Sequence, residues 1–158
     1  LHGAVVGGGL ELAMAAHVRV GDETALFGLP EGQRGIFVGG GGTVRIQRVV
    51  GTTVMTDMML TGRLLTAAEG LQEHVVRYVT PTGEALTKAQ ELAARIGKNS
   101  LETNWMIINV LPRIHDMSHD DGLFVEQLNS ARARPPEAEA RLREFVDGKA
   151  KKLQDNQA

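Results

Sequence analysis

The chain has no cysteine among its 158 residues. That excludes disulfides, thiol catalysis and cysteine-held metal sites, and it leaves the redox compartment open. Strong charge is missing too: the formal net charge is −2, which gives no basic footprint for nucleic acid. No apolar run approaches the ~18 residues of a membrane-spanning helix. The histidines suggest no metal, because His2, His74, His115 and His119 lack ligand-like spacing with one another. The hydrophobic content of 42% and charged content of 23% are those of an ordinary globular domain. The length suffices for a real core. What the chain does have is glycine, 19 residues of it, crowded between positions 3 and 42. From Lys98 onward only Gly122 and Gly148 occur. This shift separates a turn-rich first part from a helical second part.

The glycines open the chain in Gly3-Ala4-Val5-Val6-Gly7-Gly8-Gly9-Leu10-Glu11-Leu12-Ala13-Met14. A glycine loop runs into a helix there, and the first turn of that helix carries a carboxylate. The first N–H groups of a helix have no intrahelical partner and share the positive end of its dipole. Such a junction can present donors to an oxyanion or to a phosphate. A phosphate loop needs Gly-Lys-Ser/Thr after its glycines, whereas Leu10-Glu11-Leu12 follows here, and a G-x-G-x-x-G pattern from Gly7 fails at Leu12. Glu11 would also repel a phosphate, so a thioester oxyanion fits better. A second carboxylate, Glu31, follows in Phe27-Gly28-Leu29-Pro30-Glu31. On local sequence alone three plainer readings stay open. The glycines could serve a tight turn, Glu11 could complement the helix dipole, and Glu31 could be a solvated loop residue.

Taken together these residues resemble the crotonase, or enoyl-CoA hydratase/isomerase, superfamily. The signature G-x-x-x-G-G-G-x-E-[LM]-A is matched from Gly3 to Ala13. It continues through Phe27–Glu31, Gly35-Ile36, Gly39-Gly40-Gly41-Gly42-Thr43, Leu60-Thr61-Gly62-Arg63 and Thr66-Ala67-Ala68-Glu69. The resemblance implies an α/β fold, a crotonase-like ββα spiral followed by an α-helical C-terminal trimerisation region. Residues 1–97 would be the C-terminal part of the spiral core and residues 98–158 the helical region. It implies an enoyl-CoA hydratase that adds water to a trans-2-enoyl-CoA. The catalytic residues would be Glu11, Glu31 and Gly8, with the Gly8 N–H as one oxyanion donor. Gly7, Gly9, Leu29, Pro30, Gly39, Met58 and Lys149 would bind substrate. No cofactor is expected, since coenzyme A is part of the substrate. The expected assembly is a homotrimer or a dimer of trimers, with no nucleic acid or membrane partner. The bacterial cytoplasm is the expected compartment ahead of the mitochondrial matrix. Isomerases often keep only the second glutamate, so the pair favours hydration over isomerisation. Another crotonase-type reaction, or a non-catalytic acyl-CoA-binding or oligomerisation remnant, is the alternative. Family members usually carry a further N-terminal segment that supplies the second oxyanion donor and much of the coenzyme A surface. The chain is therefore expected to be the C-terminal portion of a crotonase and incomplete alone.

Departures from the family pattern are His17 in place of Asp, Val38 in place of Pro, and His74-Val75-Val76 in place of Gly-Leu-Val. Gly148 also stands where the family has Lys, beside Lys149. Pattern and propensity predict helices at Leu10–Ala16, Val44–Val50 and Thr53–Leu60, and strands at Val18–Val20, Ala25–Gly28 and Val75–Val79. Gly39–Thr43 reads as flexible. Arg45 and Arg48 share a helix face, where solvent, acids or a coenzyme A phosphate could meet them. Thr66 with Glu69 reads as a capping box. Helices are then expected to Ile96, over Leu101–Leu111, over Asp116–Ala131 and over Glu137–Leu153, with Arg134-Pro135-Pro136 as a break.

Overall fold

The computed structural model describes residues 1–132 and 136–149. The chain divides into two compact units, Leu1–Ile96 and Gly97–Ala158.

In the first unit, strand β1 (Ala4–Val6) runs into helix α1 (Gly8–Ala13). Strands β2 (Val20–Asp22) and β3 (Leu26–Gly28) follow, then a 3-10 turn at Gly32–Arg34. Helix α2 (Gly42–Thr61), strand β4 (Leu64–Leu65), helix α3 (Ala67–Gln72), strand β5 (Tyr78–Thr80) and helix α4 (Ala85–Ile96) complete it. One sheet has the order β1-β3-β4. Its β1–β3 pair is parallel with Val5 opposite Phe27 and Val6 opposite Gly28, and β4 joins β3 antiparallel. A second, parallel pair joins β2 to β5, with Gly21 opposite Val79.

The parallel register decides where the chemistry lies. The β1 and β3 strands end side by side, and each leads directly into a glutamate-bearing segment. Gly7 N–H donates to Gly28 O at 2.9 Å and extends the ladder one step past the strand ends. Beneath the sheet lies a core that includes Leu10, Phe27, Leu29, Ile46, Met58, Val75 and Val76, all within 1% of complete burial. Each large apolar side chain removed from water in this way stabilises the unit by about 1.5–3 kcal/mol. The Phe27 ring fills the space over Gly70, where a Cβ would collide with it. A smaller cluster of Val20, Ala85 and Leu92, with Ala89 against it, seats α4 on β2.

The predicted helices at Val44–Val50 and Thr53–Leu60 are the two arms of α2, which meet at a kink. Gly51 sits at its centre with φ 78° and ψ 157°, outside helical geometry. The capping box forms: Thr66 Oγ1 accepts from Glu69 N–H, and Glu69 Oε2 accepts from Thr66 N–H at 2.8 Å. Helix α1 begins two residues earlier than propensity suggests, at Gly8, and stops at Ala13.

The second unit contains α5 (Leu101–Asn109), α6 (Leu111–Ile114), α7 (His119–Arg132) and α8 (Pro136–Val146). The side chain of Ser100 caps α5. Pro112 lies in the first turn of α6, where its missing N–H costs nothing. The α7 helix starts later than predicted because Ser118 Oγ accepts from Asp121 N–H and fixes the entry there. The predicted end of the last helix, at Leu153, lies outside the described residues.

Candidate active site

Glu11 and Glu31 are both 7% exposed, and with Asp22 they are the buried acidic groups among the described residues. Glu11 lies on α1, and its N–H donates to Gly7 O at 3.0 Å. Glu31 follows β3 and Pro30 and starts the 3-10 turn. The Gly7 backbone has φ 53°, and a Cβ there would stand 3.0 Å from Glu31 Oε1. Only glycine therefore serves at this corner, by conformation and by closeness to the carboxylate. Gly7 thus adjoins both acidic residues, one through its carbonyl and one through its α-carbon.

The two carboxylates are held differently. Glu11 Oε1 accepts from Gly40 N–H at 2.7 Å and from Gly42 N–H at 2.8 Å. Gly42 is the first residue of α2, so Glu11 occupies the positive end of that helix. The stretch Gly39–Thr43, read from composition as flexible, is pinned by this carboxylate. Glu31 Oε2 is buried and meets no hydrogen-bond partner, the one such side-chain atom among the described residues. A buried oxygen left unmatched is costly, and at a cleft it is available to a ligand or a reacting proton.

Gly8 is the first helical residue of α1 and is exposed, as is Gly9. Their N–H groups fall in the turn that lacks intrahelical acceptors. Pro30 is half-buried and Gly39 exposed. Leu29 and Met58, expected to touch substrate, are 0% and 1% exposed and belong to the core. On the same helix Met55 and Met59 line a cavity of about 330 Å³ with Phe37, Thr43, Gln47 and Thr52. Lys149 belongs to the second unit, is exposed, and lies 3.6 Å from Asp147 Oδ2. His17 is exposed. Arg45, read in the sequence as facing solvent, an acid or a coenzyme A phosphate, instead donates from Nη1 to Gly40 O at 3.0 Å. No group of three or more His, Cys, Asp or Glu side chains among the described residues is arranged to hold a metal.

A family model for enoyl-CoA hydratase/isomerase matches residues 1–131. The chain belongs to that family. Its relatives include the fatty acid oxidation complex subunit alpha of Shewanella frigidimarina, 45% identical over 97 residues, which are 60% of this chain and 14% of that protein. The probable enoyl-CoA hydratase 2, mitochondrial, of Arabidopsis thaliana is 36% identical over 128 residues, 81% of this chain and 42% of that protein. Among solved structures, one from Rhodopseudomonas palustris, provisionally assigned as an enoyl-CoA hydratase, superposes with a TM-score of 0.89 at 48% identity. The match covers 94% of this chain and 58% of that one. The chain thus has the crotonase fold, and it spans less than half the length of these curated relatives. An enzyme acting on an acyl-CoA is the family's common character. No helix among the described residues is long and apolar enough to cross a membrane.

Proposed function

We propose that the protein is an enoyl-CoA hydratase, adding water across the double bond of a trans-2-enoyl-CoA. The observation that carries this reading is the unpartnered, buried Glu31 Oε2 beside Gly7, with a second buried carboxylate on the adjoining helix. Glu31 is the acid–base group nearest the α-carbon. Glu11, held through Oε1, keeps Oε2 for the attacking water. The Gly8 N–H polarises the thioester carbonyl, and the negative charge that develops on its oxygen is stabilised at the start of α1. Water adds its oxygen to C3 while its proton goes to a carboxylate. The α-carbon then receives a proton from Glu31, so the product is a 3-hydroxyacyl-CoA.

Two positioned carboxylates support hydration over double-bond isomerisation, which needs one group to carry a proton between two carbons. Products formed from 2-enoyl and 3-enoyl substrates separate the two. The wider reading extends to the ββα spiral, with residues 1–97 as its catalytic part and residues 98–158 as a trimerisation region. Lys149 would meet coenzyme A, and the compartment would be cytoplasm or mitochondrial matrix. The decisive experiment is Glu31→Gln in the complete protein, assayed with crotonyl-CoA. Positioned acid–base groups contribute about 10²–10⁴-fold each, so kcat should fall by that order with little change in KM. Hydration at the parent rate would sink the assignment.

A further inference from the structure

Four consecutive glycines, Gly39 to Gly42, lead into α2, the last of them being its first residue. Three of them are in close contact with charged side chains. At Gly42 a Cβ would stand 2.8 Å from Glu11 Oε1 and 2.9 Å from its Cγ. At Gly40 it would stand 3.0 Å from Glu11 Oε2. At Gly41, where φ is 94°, it would collide with the Arg45 guanidinium. The loop is therefore gripped from two sides. Glu11 takes the Gly40 and Gly42 N–H groups, and Arg45 reaches back over Gly41 to donate to Gly40 O.

The same residue, Gly40, thus gives its N–H to Glu11 and its carbonyl to Arg45. A guanidinium donates in a fixed plane. The Gly40 carbonyl belongs to the peptide plane between Gly40 and Gly41, which links the two planes that give their N–H groups to Oε1, so Arg45 fixes the link between the two donors. Arg45 is exposed, so the bond adds little to global stability, and its consequence is for geometry.

We propose that Arg45 is a positioning residue for the Glu11 carboxylate, acting through the Gly40 backbone; this rests on the hydratase reading, in which Glu11 serves the water and Glu31 the α-carbon. Arg45 would touch no reacting atom, and the two oxygens of Glu11 would divide the labour. Oε1 is the anchored atom, and Oε2 is the one left to the substrate side.

The test compares two reactions in the complete protein. One is hydration of crotonyl-CoA, which needs both glutamates. The other is exchange of an α-hydrogen of butyryl-CoA in D₂O. In that exchange Glu31 takes the α-proton, the electron pair moves to the thioester oxygen, and the enolate takes back a deuteron. Small displacements of a reacting group cost up to about 10²-fold. Arg45→Ala should therefore lower hydration kcat by about 10- to 100-fold, with KM, thermal midpoint and exchange rate near those of the parent. Arg45→Lys, which keeps a donor, should recover much of the loss. Gly42→Ala, which pushes on Glu11 directly, should reproduce the Arg45→Ala pattern. Unchanged hydration in Arg45→Ala overturns the proposal, and so does an equal fall in hydration and exchange. If Glu11→Gln and Glu31→Gln both leave hydration intact, the hydratase reading itself falls. If they abolish it while Arg45→Ala does not slow it, only the positioning role falls.

Discussion

His74 holds a left-handed backbone conformation with φ 65°, the only non-glycine among the described residues to do so. It follows α3, where a helix commonly ends on such a residue and glycine is the usual occupant. A side chain with a Cβ costs roughly 1–2 kcal/mol there, offset in part because glycine loses more freedom on folding, about 0.5–1 kcal/mol. His74→Gly should stabilise the protein by about 0.5–1 kcal/mol, read as a higher urea midpoint at an unchanged slope. A lower midpoint would mean that the 3.3 Å contact between His74 Nδ1 and Arg77 matters more than the strain. At this scale the sequence was informative wherever chemistry is local. Thr66–Glu69 stood out by its capping pattern, whereas Glu11 and Glu31 had plainer local readings and stood out only through the family signature. Arg45 did not, because its partner depends on a loop path that four glycines leave undetermined. The family's Gly-Leu-Val pattern had marked position 74 as a departure, without saying that its backbone is left-handed.

Among elements, β2 shows how a short strand is secured. Asp22 is 2% exposed, and its carboxylate accepts from Thr24 Oγ1, Thr24 N–H and, at 3.0 Å, Gly83 N–H. The bond to Gly83 ties β2 to the turn before α4. The Thr24 hydroxyl, helped by the Gly83 and Thr24 N–H groups and the charge of His2, holds the Asp22 carboxyl below its ordinary value. A carboxylate whose pKa is lower folded than unfolded adds stability at pH values above its unfolded pKa, near 3.9. That stability is lost as pH falls through the folded value. Asp22→Asn should lower the thermal midpoint by several degrees at pH 7, and the gap to the parent should shrink below pH ~4. A gap independent of pH would show that shape, not charge, makes the tie. Element boundaries were the least legible feature. The β2 strand sits two residues later than alternation suggested, and β5 starts three residues later and ends one later, because Asp22 and Thr80 pair as strand ends although neither looks apolar. By contrast, α2 reads as two helices in the sequence, and Gly51 does leave helical geometry and divide the element into two arms.

For the whole molecule, the second unit leaves Leu101, Trp105, Phe124 and Phe145 more than half exposed. Scattered exposed apolar residues are ordinary, whereas several large ones in a small helical unit point to a surface that is covered in use. If that cover is another copy, the complete protein should run as a trimer or hexamer in light scattering. Phe124→Asp should shift it toward smaller species at micromolar concentration, and a parent that is monomeric would refute the trimerisation reading. The crotonase fold was legible through the family resemblance, whose signature glycines stand at strand ends and close approaches. The expected homotrimer or dimer of trimers rested on the resemblance alone, since an apolar helix face looks the same whether it meets a core or a neighbour. One feature of the first unit also bears on ionic strength. Arg19 donates to Val75 O and Ala16 O, each at 2.6 Å, and to His74 O at 3.2 Å, joining segments more than fifty residues apart. Its partners are neutral carbonyls, so there is no opposite charge for salt to screen. The Arg63 pairs with Asp57 and Glu69 are exposed ion pairs and do weaken in salt. In concentrated salt the surface network of this unit would therefore loosen first, while the long-range clasp at Arg19 kept the segment before β2 on the segment before β5.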